Sequence, residues 1–390
     1  MREIHCSFCQ KPSTACTKII TAGNAAICDE CVRVVNDILD SSLAEEAAND
    51  QTDMHKPIDI KKYLDQYVIA QENPKRKVSV AIYNHLKQNK YNENLTKKQD
   101  PLDSTNIFCI GAPGSGKTLI FKTIAKILST VFVQVDCSAL TEVGYVGKDP
   151  SDMLVTAIKE ANGDMQVAQR AIIFLDEFDK LARKSGEENS ATKDVSGESV
   201  QQGLLKILEG SEITVSLSGK RNVLIENNVT IDTSNMLFVL NGAFEGLDKI
   251  IGRRINKKVI GFGEGQQDYT KEELLKHVTT QDLINYGILP EIVGRSPSVI
   301  VLDALTENDL IKILTEPKNA IVKQYIELLK MDNVDLTIKD TALHKIAKES
   351  IERKMNARGL RAILDSILSP LMYDIPNRQD IKEIIINDKI

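Results

Sequence analysis

Short strands alternating with helical segments through the middle of the chain predict an α/β domain on a parallel sheet, with a four-cysteine metal-held head before it and a mostly helical small domain after it. Three observations carry that reading. Two Cys-x2-Cys pairs fall within the first 31 residues, apolar strand-like runs recur between Asn106 and Leu302, and after about Asp303 only helical spacing continues. With 390 residues the chain is long enough for two or three domains. The expected division is 1–40 for the head, 41–57 for a linker, 58–303 for the large domain and 304–390 for the small domain.

In the head, Cys6-x2-Cys9 and Cys28-x2-Cys31 stand 18 residues apart, a spacing that suits tetrahedral Zn²⁺ held by four thiolates. A domain this small cannot bury a full core, so metal binding is expected to supply its folding free energy. A reactive dithiol pair is the alternative reading. Cys16, Cys109 and Cys137 lack the spacing and read as packing residues, and His5 reads as a surface residue. Val32 to Leu39 has helical spacing, and the polar, Ala-rich run that follows ends at Pro57, as a tether would.

Composition removes several classes. Lys plus Arg total 49 against 55 Asp plus Glu, a net charge of −6, which lacks the basic excess of a duplex-DNA binder. No uninterrupted apolar run exceeds five residues, as in Ala171 to Leu175, far below the ~20 that span a bilayer. The N-terminus runs directly into cysteines with no apolar leader, so a reducing, cytoplasmic setting is expected, with neither membrane nor nucleic acid as partner.

The large domain carries the chemistry. Strands are expected at Asn106 to Ile110, Val131 to Val135, Ile172 to Leu175, Met236 to Leu240 and Ser298 to Leu302. Between the first strand and a helix beginning near Lys117 stands Gly111-Ala112-Pro113-Gly114-Ser115-Gly116-Lys117-Thr118, the phosphate-loop pattern. Its glycines open backbone N–H groups to phosphate oxygens, Lys117 reaches the β and γ phosphates, and Thr118 offers an oxygen to Mg²⁺. Ile172 to Leu175 run into Asp176 and Glu177, the first placed as a Mg²⁺ ligand and the second to polarise an attacking water. A helix N-cap pair is the bland reading of those two acids. Val200, Leu204, Leu205, Ile207 and Leu208 share one helical face, Gly210 ends that helix, and the polar stretch 183–199 before it reads as a mobile loop. Asn241 stands just past the fourth strand.

These residues together resemble the ClpX family of AAA+ unfoldases. The resemblance covers nearly the whole chain and includes Tyr67-Val68-Ile69, Gly144-Tyr145-Val146-Gly147, Asp194-Val195-Ser196-Gly197-Glu198, Ile260-Gly261-Phe262, Gly294-Arg295 and Ala357-Arg358-Gly359-Leu360-Arg361. It implies an AAA+ P-loop ATPase that unfolds proteins and feeds them through a ring pore into the ClpP peptidase, with ATP, Mg²⁺ and Zn²⁺ as cofactors. Tyr67, Val68 and Ile69 join Ala112 through Leu119 in contacting ATP. Tyr145 and Val146, then Asp194, Val195, Ser196 and Gly197, match two substrate-gripping pore loops. Arg221 is the one position retained of a cationic loop at the pore entrance. Arg295 matches a finger that reaches a neighbour's nucleotide, which implies a homo-hexamer, and Arg358 matches a small-domain arginine that senses nucleotide. Ile260, Gly261 and Phe262 match the tripeptide that docks on ClpP, and the head is expected to dimerise and to collect substrates or adaptors.

The chain departs from the family at several places. Its phosphate loop reads Gly-Ala-Pro-Gly where Gly-Pro-Thr-Gly is usual, Ala70 stands where a glycine is usual, and Asn241 where a glycine is frequent. Around Arg221 two cationic positions are lost, which puts recognition of the usual negatively charged C-terminal tags in question. A stand-alone remodeller without a peptidase and a nucleic-acid-remodelling ATPase are the competing functions.

Overall fold

A computed structural model describes residues 5–22, 25–35, 56–94, 100–102, 105–141, 148–182, 195–217, 228–259, 269–378 and 380–387. Met1–Lys56 and Pro57–Ile390 form two compact units. Within the first, β1 (Ile19–Ala22) pairs antiparallel with β2 (Ala25–Cys28), and residues 29–35 continue as helix. Among the described residues of this unit the buried apolar ones are Cys6, Ala26 and Cys28, so sulfurs form much of the interior they show.

The second unit opens with helices Pro57–Leu64 and Glu72–Glu93 and then enters a five-stranded parallel sheet. Its strands are β3 (Ile107–Ile110), β4 (Phe132–Asp136), β5 (Ile172–Asp176), β8 (Leu237–Gly242) and β9 (Ser298–Val301), in the order β4-β5-β8-β3-β9. A separate antiparallel hairpin of β6 (Glu212–Ser216) and β7 (Asn228–Asp232) intervenes in the chain. All five predicted strands are present, displaced by one or two residues at their ends.

Strand periodicity divides the interior. Phe108, Ile110, Ile173, Leu175, Phe238 and Leu240 point into one core, while Ile107, Cys109, Ile172, Phe174, Leu237 and Val239 point into the other. Successive side chains leave opposite faces of a strand, so a sheet buried on both sides needs apolar residues at every position. That is why β3, Ile172–Leu175 of β5 and Leu237–Leu240 of β8 are unbroken apolar runs, whereas β4, at the edge, carries exposed Gln134. Cys109 and Cys137 are buried packing residues as expected, whereas Cys16 is only half-buried and its thiol donates to the Pro12 carbonyl at 3.4 Å.

One sequence expectation changes here. Residues 195–199 are the first turn of helix Val195–Leu208, not part of a loop. Gly197 explains the difference, because a Cβ there would meet the Leu181 carbonyl oxygen at 2.8 Å, and its absence lets the helix begin against the turn Phe178–Leu181. Val259 ends helix Leu247–Val259.

From Thr306 a third core forms on helices Glu307–Thr315, Ile321–Met331, Asp340–Glu352 and Ala357–Asp374. Thr306 and Asp309 make a capping box that fixes the start of the first of these. This region also holds a parallel pair, β10 (Asp335–Ile338) with β11 (Glu383–Ile386), which helical spacing alone did not reveal. Each strand has four residues and its partner lies far along the chain, leaving no local signal. Among the described residues no helix is long and apolar enough to cross a membrane.

Candidate functional site

Strand β3, between β8 and β9 in the sheet, ends at the phosphate loop. Gly114 and Gly116 take φ of +78° and +98°, values that favour glycine, and a Cβ on Gly116 would meet nothing within 4 Å. The loop therefore presents open backbone at the N-terminus of helix Lys117–Ile127, where amide groups and the helix dipole favour an anion. Lys117 is nearly buried and donates to the carbonyls of Gly111 at 2.5 Å and Ala112 at 3.0 Å. Burial pushes its pKa down, and the Arg358 charge adds to that while Asp176 and Asp179 oppose it. Of the remaining loop residues, Thr118 is half-buried and Leu119 is exposed.

The carboxyl ends of three strands converge beside this loop. Asp176, the last residue of β5, accepts from Asn241 Nδ2 at 2.5 Å, from Gln134 Nε2 at 3.0 Å and from the Glu177 amide at 3.1 Å. Glu177 is exposed, and its φ of +55° is unusual for a residue with a side chain. Such strain persists where surrounding contacts hold it. Asn241 is buried at 2% exposure, and neither its Oδ1 nor the Oγ of Ser115 has a hydrogen-bond partner among the described residues. Unpaired buried acceptors beside an open cradle of N–H groups, with Thr118 and Asp176 as oxygen donors, fit a hydrated nucleotide phosphate with Mg²⁺.

The small domain leans on the same loop. Asn356 donates to the Pro113 carbonyl at 3.1 Å, and a Cβ on Gly114 would meet the Met355 carbonyl at 2.9 Å. Arg358 follows in the first turn of helix Ala357–Asp374 and is exposed. On the opposite flank, Val68 is buried and Tyr67 and Ile69 half-buried. The Val68 carbonyl accepts from Lys75 at 3.2 Å, and Lys75 is itself held by Asp65 at 2.5 Å and Glu72 at 3.2 Å. Gln71 joins this flank to the loop by bonding Asp303 N–H at 2.9 Å, Asp303 O at 2.8 Å and Ser115 O at 3.4 Å. Sequence reading missed Gln71, Lys75, Gln134 and Asn356. Their signal is adjacency to motif residues, as for Gln71 after Tyr67-Val68-Ile69 and Asn356 before Arg358. Ala70 has φ +55°, so the alanine here bears the left-handed strain a glycine would avoid.

Arg295 is not gathered into this cluster. Its carbonyl accepts from Asn106 N–H at 3.2 Å, just before β3 begins, whereas the phosphate loop follows the other end of that strand. Some 15 Å of strand separates the two positions, beyond the reach of an arginine side chain. Its guanidinium lies 3.8 Å from Glu209. Tyr145, Val146, Asp194, Arg221, Ile260, Gly261 and Phe262 lie outside the described residues, as do the side chains of Val195 and Ser196.

In the head, the sulfurs of Cys6, Cys9, Cys28 and Cys31 lie within 4.8 Å of one another. Bonds of ~2.3 Å to a tetrahedral Zn²⁺ would set sulfur–sulfur edges of ~3.8 Å, so the cluster fits zinc after a small contraction. Backbone N–H donation, first from Cys9, lowers the Cys6 pKa to about 6, which favours the thiolate that a metal needs.

A family profile for the ClpX C4-type zinc finger matches residues 4–41, one for the AAA domain of the Cdc48 subfamily matches 103–299, and one for the C-terminal D2-small domain of ClpB matches 305–386. Along 391 aligned residues the chain is 42% identical to the ATP-dependent Clp protease ATP-binding subunit ClpX of Treponema denticola, covering 99% of this chain and 93% of that protein. The chain belongs to the ClpX family. The proteins of the same name from Porphyromonas gingivalis and Bacteroides thetaiotaomicron are 41% and 40% identical, over 99% and 95% of this chain and 95% and 91% of theirs. As a ClpX-family chain it is an ATPase whose cofactors are ATP with Mg²⁺ in the AAA domain and Zn²⁺ in the finger.

Proposed function

We propose that the chain is an ATP-dependent protein unfoldase that threads substrates through a homo-hexameric ring into the ClpP peptidase. The observation that carries this reading is the near full-length match to Clp protease ATP-binding subunits, on a chain whose β3, β5 and β8 ends converge on a phosphate loop. Residues 58–303 act as the ATPase domain, 304–390 as the nucleotide-sensing small domain and the zinc head as a collector of substrates or adaptors.

In the ATPase cycle, the phosphate-loop amides and Lys117 hold the β and γ phosphates, while Thr118 and Asp176 hold Mg²⁺. The ion neutralises charge on the transferred phosphoryl group when bound. Glu177 takes a proton from water as its oxygen bonds the γ phosphorus, the bond to the β-phosphate oxygen breaks, and ADP and phosphate result. Asn241 orients that water through its unpaired Oδ1. Arg295, directed away from its own loop, stabilises the γ phosphate of the adjoining subunit, and Arg358 reports nucleotide to the small domain. Tyr145 and Val146 with Asp194 to Gly197 grip substrate, Arg221 faces the entrance, and Ile260, Gly261 and Phe262 dock on ClpP.

The test is loss of fluorescence from a folded, tagged fluorescent protein with this chain, ClpP and ATP, beside Glu177→Gln and Phe262→Ala. Loss that requires both residues is expected. Equal loss without ClpP and in Phe262→Ala would replace this reading with a stand-alone remodeller.

A further inference from the structure

Helix Val195–Leu208 joins parts of the molecule that the proposed function assigns to different tasks. Its first turn holds Val195, Ser196 and Gly197, assigned to substrate. One turn further, Gln201 is fully buried. Its Nε2 donates to the Leu181 carbonyl at 2.7 Å and to the Gly287 carbonyl at 3.2 Å, and its Oε1 accepts from the Leu289 amide at 2.9 Å. A buried amide with three bonds to three backbone groups has one arrangement, because turning or losing it strands each partner.

The partners are not ordinary backbone. Leu181 closes the turn Phe178–Leu181 that follows Glu177 directly. Leu289 is the N-cap of helix Pro290–Arg295, which carries Arg295 at its last position. Gly197 rests on the same Leu181 carbonyl, so helix and turn meet at two successive levels. At the far end of the helix, the Leu208 carbonyl accepts from buried Asn106 Nδ2 at 3.3 Å, and the Asn106 amide donates to the Arg295 carbonyl. Glu209, next along, pairs with the Arg295 guanidinium. The helix is thus tied to the Arg295 segment near both ends and to the Glu177 turn near its start.

We propose that Gln201 is a positioning residue that links a substrate-contacting turn to both halves of hydrolysis, the Glu177 turn within the subunit and the Arg295 helix directed to its neighbour. It touches neither nucleotide nor substrate. A displacement of the first turn of the helix moves the Gln201 amide, and with it the backbone on which Glu177 and Arg295 are mounted. The proposal rests on the roles assigned above to Glu177, Arg295 and the 194–197 segment.

The test measures ATP hydrolysis of the assembled full chain with and without an unfolded protein substrate, with ring assembly followed by sedimentation. Gln201→Leu keeps the volume and removes all three bonds. The expected result is a substrate stimulation factor that falls to about one, a kcat lowered by about tenfold, and a KM for ATP within about twofold of the parent, since the phosphate loop is untouched. A residue that served only to hold the fold would instead lower assembly and leave the stimulation factor of the assembled rings intact, and that outcome overturns the proposal. Should Gln201→Leu fail to assemble, Gln201→Glu keeps the acceptor for Leu289 but removes the amide donors. Stimulation must fall there too, and an unchanged factor overturns the proposal equally. Failure of the underlying reading looks different: the parent chain shows no stimulation by substrate, or Glu177→Gln continues to hydrolyse ATP.

Discussion

At the residue scale, Asp179 shows how the site uses a carboxylate against its own preference. It accepts from the Phe244 amide at 3.2 Å and lies so close to Gly242 that a Cβ there would meet its Oδ1 at 2.5 Å. Burial raises its pKa above the usual range, outweighing Lys180, the Phe244 hydrogen bond and Lys117. A carboxyl with a raised folded-state pKa binds its proton more tightly in the folded chain. Stability is therefore highest below the unfolded value of ~3.9 and declines as pH rises towards the folded one. Asp179→Asn keeps an acceptor for Phe244 and removes the charge, so its thermal midpoint is expected above the parent's at pH 7, with the gain gone near pH 4. Equal midpoints at pH 7 would show that the carboxylate is not penalised there. Sequence reading singled out Asp176 and Glu177 because a phosphate loop upstream gives two acids after an apolar strand a meaning. It passed over Asp179, whose role comes from a residue on another strand end.

At the element scale, what was legible follows from the range of the signal. The five sheet strands and helix Lys117–Ile127 were readable because short apolar runs and an adjoining glycine motif are local patterns. The pairing of β10 with β11 and the early start of helix Val195–Leu208 depend on contacts distant in sequence, with Glu383–Ile386 and with the Leu181 carbonyl. The zinc finger was legible from spacing alone, and its geometry leads to a prediction. The apparent binding free energy of zinc in zinc-finger peptides is ~10–16 kcal/mol, far more than burial of Cys6, Ala26 and Cys28 supplies. Chelation is expected to release one zinc per chain and abolish the amide dispersion of residues 5–35 in NMR spectra. ATP hydrolysis by the separate Pro57–Ile390 unit is expected to continue. Retention of the dispersion after complete zinc removal would refute the metal-held reading.

At the scale of the whole molecule, the position of Arg295 has an assembly test. If each nucleotide is served by the arginine of the next subunit, Arg295→Ala and Lys117→Ala chains are each inactive alone but complementary when mixed. Random mixing places an intact loop beside an intact arginine at about a quarter of the interfaces, so hydrolysis well above the sum of the separate variants is expected. A mixture no more active than that sum would mean that Arg295 serves its own subunit or none.

The contact of Asn356 with Pro113, and of Met355 with Gly114, gives the phosphate loop a neighbour that belongs to another core. Any force that shifts the small domain alters how readily the loop closes on phosphate, and phosphate held in the loop resists that shift by the same free energy. In the proposed unfoldase, a polypeptide that resists being pulled would therefore act on the enzyme as an effector, its stiffness expressed as a change in the affinity for ATP.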